Sequence, residues 1–143
     1  LLFLAERLPK SKGLVLIGAK TKGQVLCEKE FKALGCEVKI ATDDGSLGFK
    51  GYVSELLKDI LGNKRYAISD KRIYACGPRP MLKKVCRISG QYDISAQVSL
   101  EEHMACGFGA CLGCAVNTID GYKRVCKDGP VFWANQIIWG GRT

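Results

Sequence analysis

Residues 72–82 read Arg72-Ile73-Tyr74-Ala75-Cys76-Gly77-Pro78-Arg79-Pro80-Met81-Leu82, and the fold class follows from how this stretch changes character midway. Ile73, Tyr74 and Ala75 make a short apolar run of the kind that sits in a strand buried on both faces. Gly77-Pro78 breaks it. From Pro80 the apolar residues recur at helical spacing, Leu82, Val85 and Ile88, and the prolines stand at the helix start, where a missing N–H costs little. A strand that passes through a glycine turn straight into a helix predicts α/β architecture with a parallel sheet, and binding at the strand's carboxyl end. Gly77 permits close backbone approach there, and the helix N-terminus offers N–H groups to a ligand. Cys76 reads with equal weight as a small buried thiol or as a functional one.

The same grammar extends outward on both sides. Residues 1–8 read as the end of a helix, 13–19 as a strand, 24–34 as an amphipathic helix stopped by Gly35, and 37–42 as a second strand. The stretch Thr42-Asp43-Asp44-Gly45-Ser46-Leu47-Gly48-Phe49-Lys50-Gly51 is a loop by composition, 53–61 a helix closed by Gly62, and 94–100 a further strand. Three turns therefore fall at carboxyl ends of strands: Gly18-Ala19-Lys20-Thr21-Lys22, the 42–48 loop, and Cys76-Gly77-Pro78. The first departs from the G-x-G-x-x-G fingerprint and reads equally as a simple turn. Asp43 and Asp44 carry carboxylates suited to ribose hydroxyls, although Asp and Gly are also ordinary loop residues.

From about residue 99 the pattern changes to a Gly- and Cys-rich loop, a short strand pair around 114–119 and 122–126, and an aromatic tail. The expected division is residues 1–98 as a nucleotide-binding α/β domain and 99–143 as a small appended domain. Cys106-x4-Cys111-x2-Cys114 followed by Cys126 matches the plant-type 2Fe-2S spacing, in which a tight loop supplies three thiolates and a distant residue the fourth. Gly107, Gly109 and Gly113 lie between the candidate ligands, where a chain without side chains closes around inorganic sulfide and aims N–H groups at it. Phe108, Phe132 and Trp133 are candidates for restricting water. A zinc site on four cysteines is the bland alternative, holding the segment together without electron chemistry. Zinc more often shows two short cysteine knuckles than three ligands within residues 106–114. A redox dithiol at Cys111-Leu112-Gly113-Cys114 is a second alternative, but it favours a following helix, whereas 115–119 looks like a strand.

Composition removes other classes. The chain has 143 residues, 47% of them hydrophobic and 25% charged, the balance of a protein that buries one real core. No apolar run approaches the roughly 20 residues of a membrane helix. The opening Leu1-Leu2-Phe3-Leu4-Ala5 has no basic flank or cleavage site and reads as helix interior, so it is not expected to be a signal peptide. A net charge of +8 is spread along the chain rather than interleaved with aromatics, which points to a solvated basic surface and not to nucleic acid. Of eight cysteines, four are scattered. Cys27 lies in line with Phe31 and Leu34, Cys86 with Leu82 and Val85, and Cys36 precedes a strand. All read as free structural thiols, which fits a reducing cytoplasm. His103 is the only histidine. A Rieske centre needs two, and no Ser/His/Asp set supports hydrolysis.

Taken together, the Gly18 to Lys22 turn, the Thr42-Asp43-Asp44-Gly45-Ser46 loop, Cys76-Gly77-Pro78-Arg79-Pro80-Met81, the Ser99 to Cys114 stretch and Arg124-Val125-Cys126-Lys127-Asp128-Gly129-Pro130-Val131-Phe132 resemble the electron-transfer subunit of dihydroorotate dehydrogenase type B, over essentially the whole chain. That family is similar to ferredoxin reductases: a flavin-binding β-barrel, a nucleotide-binding α/β domain, then a cluster domain. The resemblance implies that this sequence starts inside the second of these, with the barrel outside it. It further implies a 2Fe-2S cluster on Cys106, Cys111, Cys114 and Cys126. The nicotinamide ring of NAD is then expected near Cys76, Gly77 and Pro78, and the rest of NAD along Gly18, Ala19, Asp43, Asp44, Gly45 and Ser46. FAD would be shared with the barrel. Electrons from dihydroorotate, oxidised at FMN on a catalytic partner subunit, would cross the cluster singly, collect on FAD and leave as hydride to NAD, in pyrimidine biosynthesis. The small subunit of a flavin-based ferredoxin NADP reductase or sulfide dehydrogenase is a related alternative, but its cluster takes an aspartate in place of one cysteine, and Cys106 argues against it. A zinc-stabilised binding module and a simple one-electron carrier remain open.

Overall fold

Leu14, Val15, Leu16 and Ile17 form the strand that their apolar run predicts, with Gly18 as its penultimate residue and the turn beginning beyond Ala19. The computed structural model describes residues 1–8, 13–63 and 71–140. These fall into two compact units, one within residues 1–67 and the other within 68–143.

The first unit runs α1 (Leu2–Arg7), β1 (Leu14–Ala19), a 3-10 turn (Lys22–Gln24), α2 (Glu28–Ala33), β2 (Glu37–Thr42), β3 (Phe49–Lys50) and α3 (Val53–Gly62). The three strands lie in the order β1-β2-β3, all parallel, with Leu14 opposite Glu37 and Ala19 opposite Thr42. Val53, Leu56 and Ile60 recur along one face of α3 and pack with Leu14, Leu16, Ala41 and Phe49. The Glu55 carboxylate caps the start of that helix by accepting from Tyr52 N–H at 3.0 Å. Gly18 lies where α3 crosses β1: a Cβ there would come within 2.8 Å of Val53 Cβ, so the packing itself demands glycine.

The helix expected over 24–34 begins four residues later. Cys27 takes the N-cap position with φ of +60° and is exposed, while its carbonyl accepts the first helical bond from Phe31 N–H at 3.1 Å. Cys27 is therefore not a core residue. Helical spacing aligned it with Phe31, but a residue in left-handed conformation before the first turn does not share the helix's face, and Phe31 alone of the trio is buried.

The second unit runs β4 (Arg72–Cys76), α4 (Arg79–Gln91), β5 (Ser95–Ser99), β6 (Ala115–Thr118), β7 (Gly121–Arg124), α5 (Val125–Asp128), β8 (Val131–Trp133) and a 3-10 turn (Ala134–Gln136). β4 and β5 are parallel, as the strand-turn-helix reading requires. The aromatic tail supplies what the sequence did not suggest: β8 adds antiparallel to β5, with Phe132 opposite Val98. β6 and β7 form a separate antiparallel hairpin, stitched to the tail by Ile119 N–H to Gln136 O and Ile138 N–H to Asn117 O, both 2.9 Å.

One core serves this unit. Leu82 of α4, Val98 of β5 and Leu100 pack with Cys114, Val116, Val125, Phe132 and Ile137, and Cys86 lies against the same cluster. Burial pushes the Cys86 thiol up to about 11, in keeping with a structural thiol. The expected division at residues 98 and 99 is accordingly not a gap in the packing. The cysteine-bearing segment packs its Cys114, Val116, Val125, Phe132 and Ile137 against Leu82 of α4 and Val98 of β5, so the compact unit that holds it begins at residue 68 rather than at 99. Among the described residues no helix is long and apolar enough to cross a membrane.

Candidate metal centre

Two of the four clustered cysteines, Cys114 and Cys126, are brought together by the hairpin. β6 and β7 set Ala115 opposite Arg124, so the residue before the first strand, Cys114, comes abreast of the residues after the second. Val125 N–H donates to Cys114 O at 3.1 Å, and Cys126 N–H to Cys114 Sγ at 3.4 Å. Cys126 stands on α5, a single helical turn. Cys114 is 2% exposed and belongs to the core; Cys106 and Cys126 are half-buried and Cys111 is exposed.

Cys106 and Cys111 lie in the loop between β5 and β6. Gly107, Gly109 and Leu112 all have φ between +56° and +92°, and this left-handed backbone turns N–H groups inward. The N–H groups of Cys111 and Phe108, helped by the Cys111 thiol and Ala110 N–H, bring the Cys106 thiol down to about 6. Gly113 N–H points at Cys111 Sγ from 3.4 Å. Cys126 N–H and then the Cys126 thiol lower Cys114. In return the Cys114 thiol, burial and the negative charges of Cys114 and Cys106 raise Cys126. The thiols thus form two interacting pairs, Cys106 with Cys111 and Cys114 with Cys126, near enough for the charge of Cys106 to be felt at Cys126. Among the described residues no three Cys, His, Asp or Glu side chains close on a single ion position. Four sulfur donors and no oxygen donor suit soft metals, and His103 is exposed.

Arg124 and Asp128 flank Cys126 and were not singled out by sequence reasoning, although their i,i+4 spacing was visible. The guanidinium bonds the Asp128 carboxylate through Nε at 3.1 Å and Nη2 at 3.4 Å, holding that carboxyl below the usual range, while the carboxylate raises the arginine. The three aromatics expected to restrict water behave differently. Phe108 is 71% exposed and Phe132 belongs to the core. Trp133 lies under the Arg72 guanidinium at 5.6 Å.

Two of the predicted nucleotide turns meet in the first unit. Lys22 N–H donates to Ser46 Oγ at 2.7 Å, and Asp44 N–H to Lys20 O at 3.2 Å. Thr42, fully buried, fixes the loop by donating to Leu47 O at 2.8 Å and accepting from Leu47 N–H at 3.0 Å. Asp44 accepts from Ser46 Oγ at 2.6 Å and Ser46 N–H at 2.9 Å; the hydroxyl and then the amide hold its carboxyl below the usual value. One Asp44 oxygen is therefore already engaged within the loop. Gly45 is needed at φ of +76° for that turn. In the second unit Cys76 ends β4 exposed, which removes its buried-thiol reading, and its thiol faces Glu101 Oε1 at 3.7 Å. Gly77 has φ of +151° ahead of α4. Glu101 is a site neighbour that sequence reasoning missed. Its position just past the end of β5, which pairs with β4, was the available signal.

Residues 101–138 match the family described as the iron-sulfur cluster binding domain of dihydroorotate dehydrogenase B. The dihydroorotate dehydrogenase B (NAD(+)) electron transfer subunit of Desulforamulus reducens is 43% identical over 97% of this chain and 54% of its own length. That of Caldanaerobacter subterraneus gives the same figures, and the probable subunit of Methanocaldococcus jannaschii is 42% identical over 85% of this chain and 45% of its own. The chain spans about half the length of the curated relatives it matches. A solved structure reported as an NADH-dependent reduced ferredoxin-NADP oxidoreductase, in a study of flavin-based electron bifurcation, superposes with a TM-score of 0.74 at 30% identity, over 88% of this chain and 44% of that one.

Proposed function

The chain belongs to the family of dihydroorotate dehydrogenase B electron-transfer subunits, and on that premise we propose that Cys106, Cys111, Cys114 and Cys126 hold a 2Fe-2S cluster through which it relays electrons. The observation that carries this reading is the pairing of the thiols, Cys106 with Cys111 and Cys114 with Cys126, a donor set that would suit two irons, with Cys111, Phe108, Gly113 and Cys126 N–H groups aimed at sulfur. When bound, the cluster supplies one-electron chemistry that no side chain offers. The chain's own part is to hold four thiolates, direct amide dipoles at them and set their exposure, which tunes the potential.

The nucleotide end of the relay rests on turns at the carboxyl ends of strands. In the first unit Gly18, Ala19, Asp43, Asp44, Gly45 and Ser46 are the residues offered to NAD outside its nicotinamide ring; in the second unit, taken by itself, Cys76, Gly77 and Pro78 are those offered to the ring. The catalytic partner is a subunit carrying FMN, on which dihydroorotate is oxidised, and FAD mediates between cluster and NAD. The relative that transfers electrons between ferredoxin and NADP supplies a second reading, against which Cys106 stands as a thiol where that group is expected to use aspartate.

The test is metal and sulfide analysis of anaerobically prepared protein. Iron and acid-labile sulfide in equal amounts are expected, with brown colour. Colourless protein carrying zinc and no sulfide would replace the relay with a structural knuckle.

A further inference from the structure

We propose that Arg124 is a positioning residue for the thiol set: it latches the loop bearing Cys106 and Cys111 to the helix bearing Cys126, and keeps a fixed positive charge beside the Cys114 and Cys126 pair. The inference rests on the cluster reading above and extends it to a residue that is not a ligand.

Arg124 ends β7 opposite Ala115, the residue after Cys114. Its Nη1 donates at 2.9 Å to the carbonyl of Gly109, midway along the chain between Cys106 and Cys111. Its Nε and Nη2 hold the carboxylate of Asp128, two residues beyond Cys126, and its own N–H reaches the same carboxylate at 2.8 Å. One planar fork thus spans both arms of the site, which a lysine ammonium, a point charge, does not reproduce. The far side of the latch is equally close. Gly109 is buried, and a Cβ on it would stand 2.8 Å from Lys127 Cδ and 3.5 Å from Arg124 Nη1. The same register puts the Arg124 backbone next to both thiol-bearing residues, opposite Ala115, the neighbour of Cys114, and two residues before Cys126. When the loaded site takes up one electron from an external donor, no bond is made or broken and one negative charge is added. Arg124 favours that state, and the Asp128 carboxylate opposes it.

The test compares the full chain, reconstituted anaerobically with iron and sulfide, with Arg124→Gln, Arg124→Lys and Asp128→Asn. Readouts are iron per chain, the rate of iron loss to a chelator, and midpoint potential by mediated titration. Arg124→Gln is expected to lose iron severalfold faster and to shift to lower potential, by up to about tenfold in the reduced-to-oxidised ratio, about 59 mV for a one-electron couple. Arg124→Lys restores the potential but not the retention. Asp128→Asn also loosens the iron, yet shifts the potential upward. Opposite shifts separate charge from mere loosening, which would move both variants alike. If Arg124→Gln takes up no iron, the Lys and Asn variants decide between the same outcomes. A loaded parent whose variants keep its potential and retention overturns the latch alone, as does a common direction of shift. A parent that takes up no iron overturns the cluster reading as well.

Discussion

Substituting Leu82 by Ala asks whether the cysteine segment and the α4–β5 layer are one structure. Leu82 lies on α4, far in sequence from the four clustered cysteines, and is 0% exposed against Val98, Cys114, Val125 and Phe132. The change removes three buried carbons, about 2.4 kcal/mol at about 0.8 kcal/mol each. The unfilled cavity adds to this, so a total near 3 kcal/mol is expected, within the span of about 2–5 kcal/mol for such truncations. That is roughly a hundredfold in the folded-to-unfolded ratio, and about 12–24 °C in melting temperature for a unit of this size. The assay is a thermal melt of iron-loaded protein, followed both by far-ultraviolet circular dichroism and by the visible band. With a shared core, Leu82→Ala lowers both transitions together. If the visible band melts at the parental temperature while the helical signal drops, the cysteine segment folds on its own and the shared core is refuted.

Cys111→Ser and Cys114→Ser are expected to part company. The exposed Cys111 can lose its thiol at little cost to the fold while the visible band disappears, whereas a hydroxyl in the buried Cys114 position also lowers the melting temperature, by about 1–3 kcal/mol equivalent; equal melts for the two would contradict the burial difference. Gly18→Ala drives a methyl against Val53 and should cost about 1–3 kcal/mol, recovered in Gly18→Ala/Val53→Ala. Loss of NAD binding with unchanged stability would instead make Gly18 a ligand-contact residue. The Asp44 carboxyl is depressed by its bonds from Ser46, so the loop contact is complete above the unfolded value of about 3.9 and is lost as pH falls through the lower folded value. The Ser46 amide resonance should titrate with a midpoint below 3.9, and a midpoint at or above it would deny the bond.

Elements with several residues of period were legible. The strands expected over 37–42 and 72–76 are found as Glu37–Thr42 and Arg72–Cys76, and the helix expected over 53–61 as Val53–Gly62. What escaped was short or tertiary. α5 is one turn and β8 three residues, too brief for any repeat to declare itself, yet one carries Cys126 and the other closes the sheet. Cys27 shows spacing misleading at a helix boundary, where backbone conformation and not register sets the side chain's direction. The cysteine spacing marked which four residues to consider. That Cys114 meets Cys126 depends on the hairpin register between Ala115 and Arg124, and that Cys106 meets Cys111 depends on the left-handed turns at Gly107 and Gly109; no linear pattern records either. Nor does sequence reveal that Asp44 spends an oxygen on Ser46, because that contact belongs to the turn's own geometry.

Stoichiometric reduction of the anaerobic, iron-loaded chain, followed by electron paramagnetic resonance, tests the central claim most directly. Two thiol pairs around two irons predict that the visible band bleaches on uptake of one electron per chain, with a single unpaired-spin signal appearing in proportion. A chain that accepts no electron, or accepts one without that signal, would contradict it.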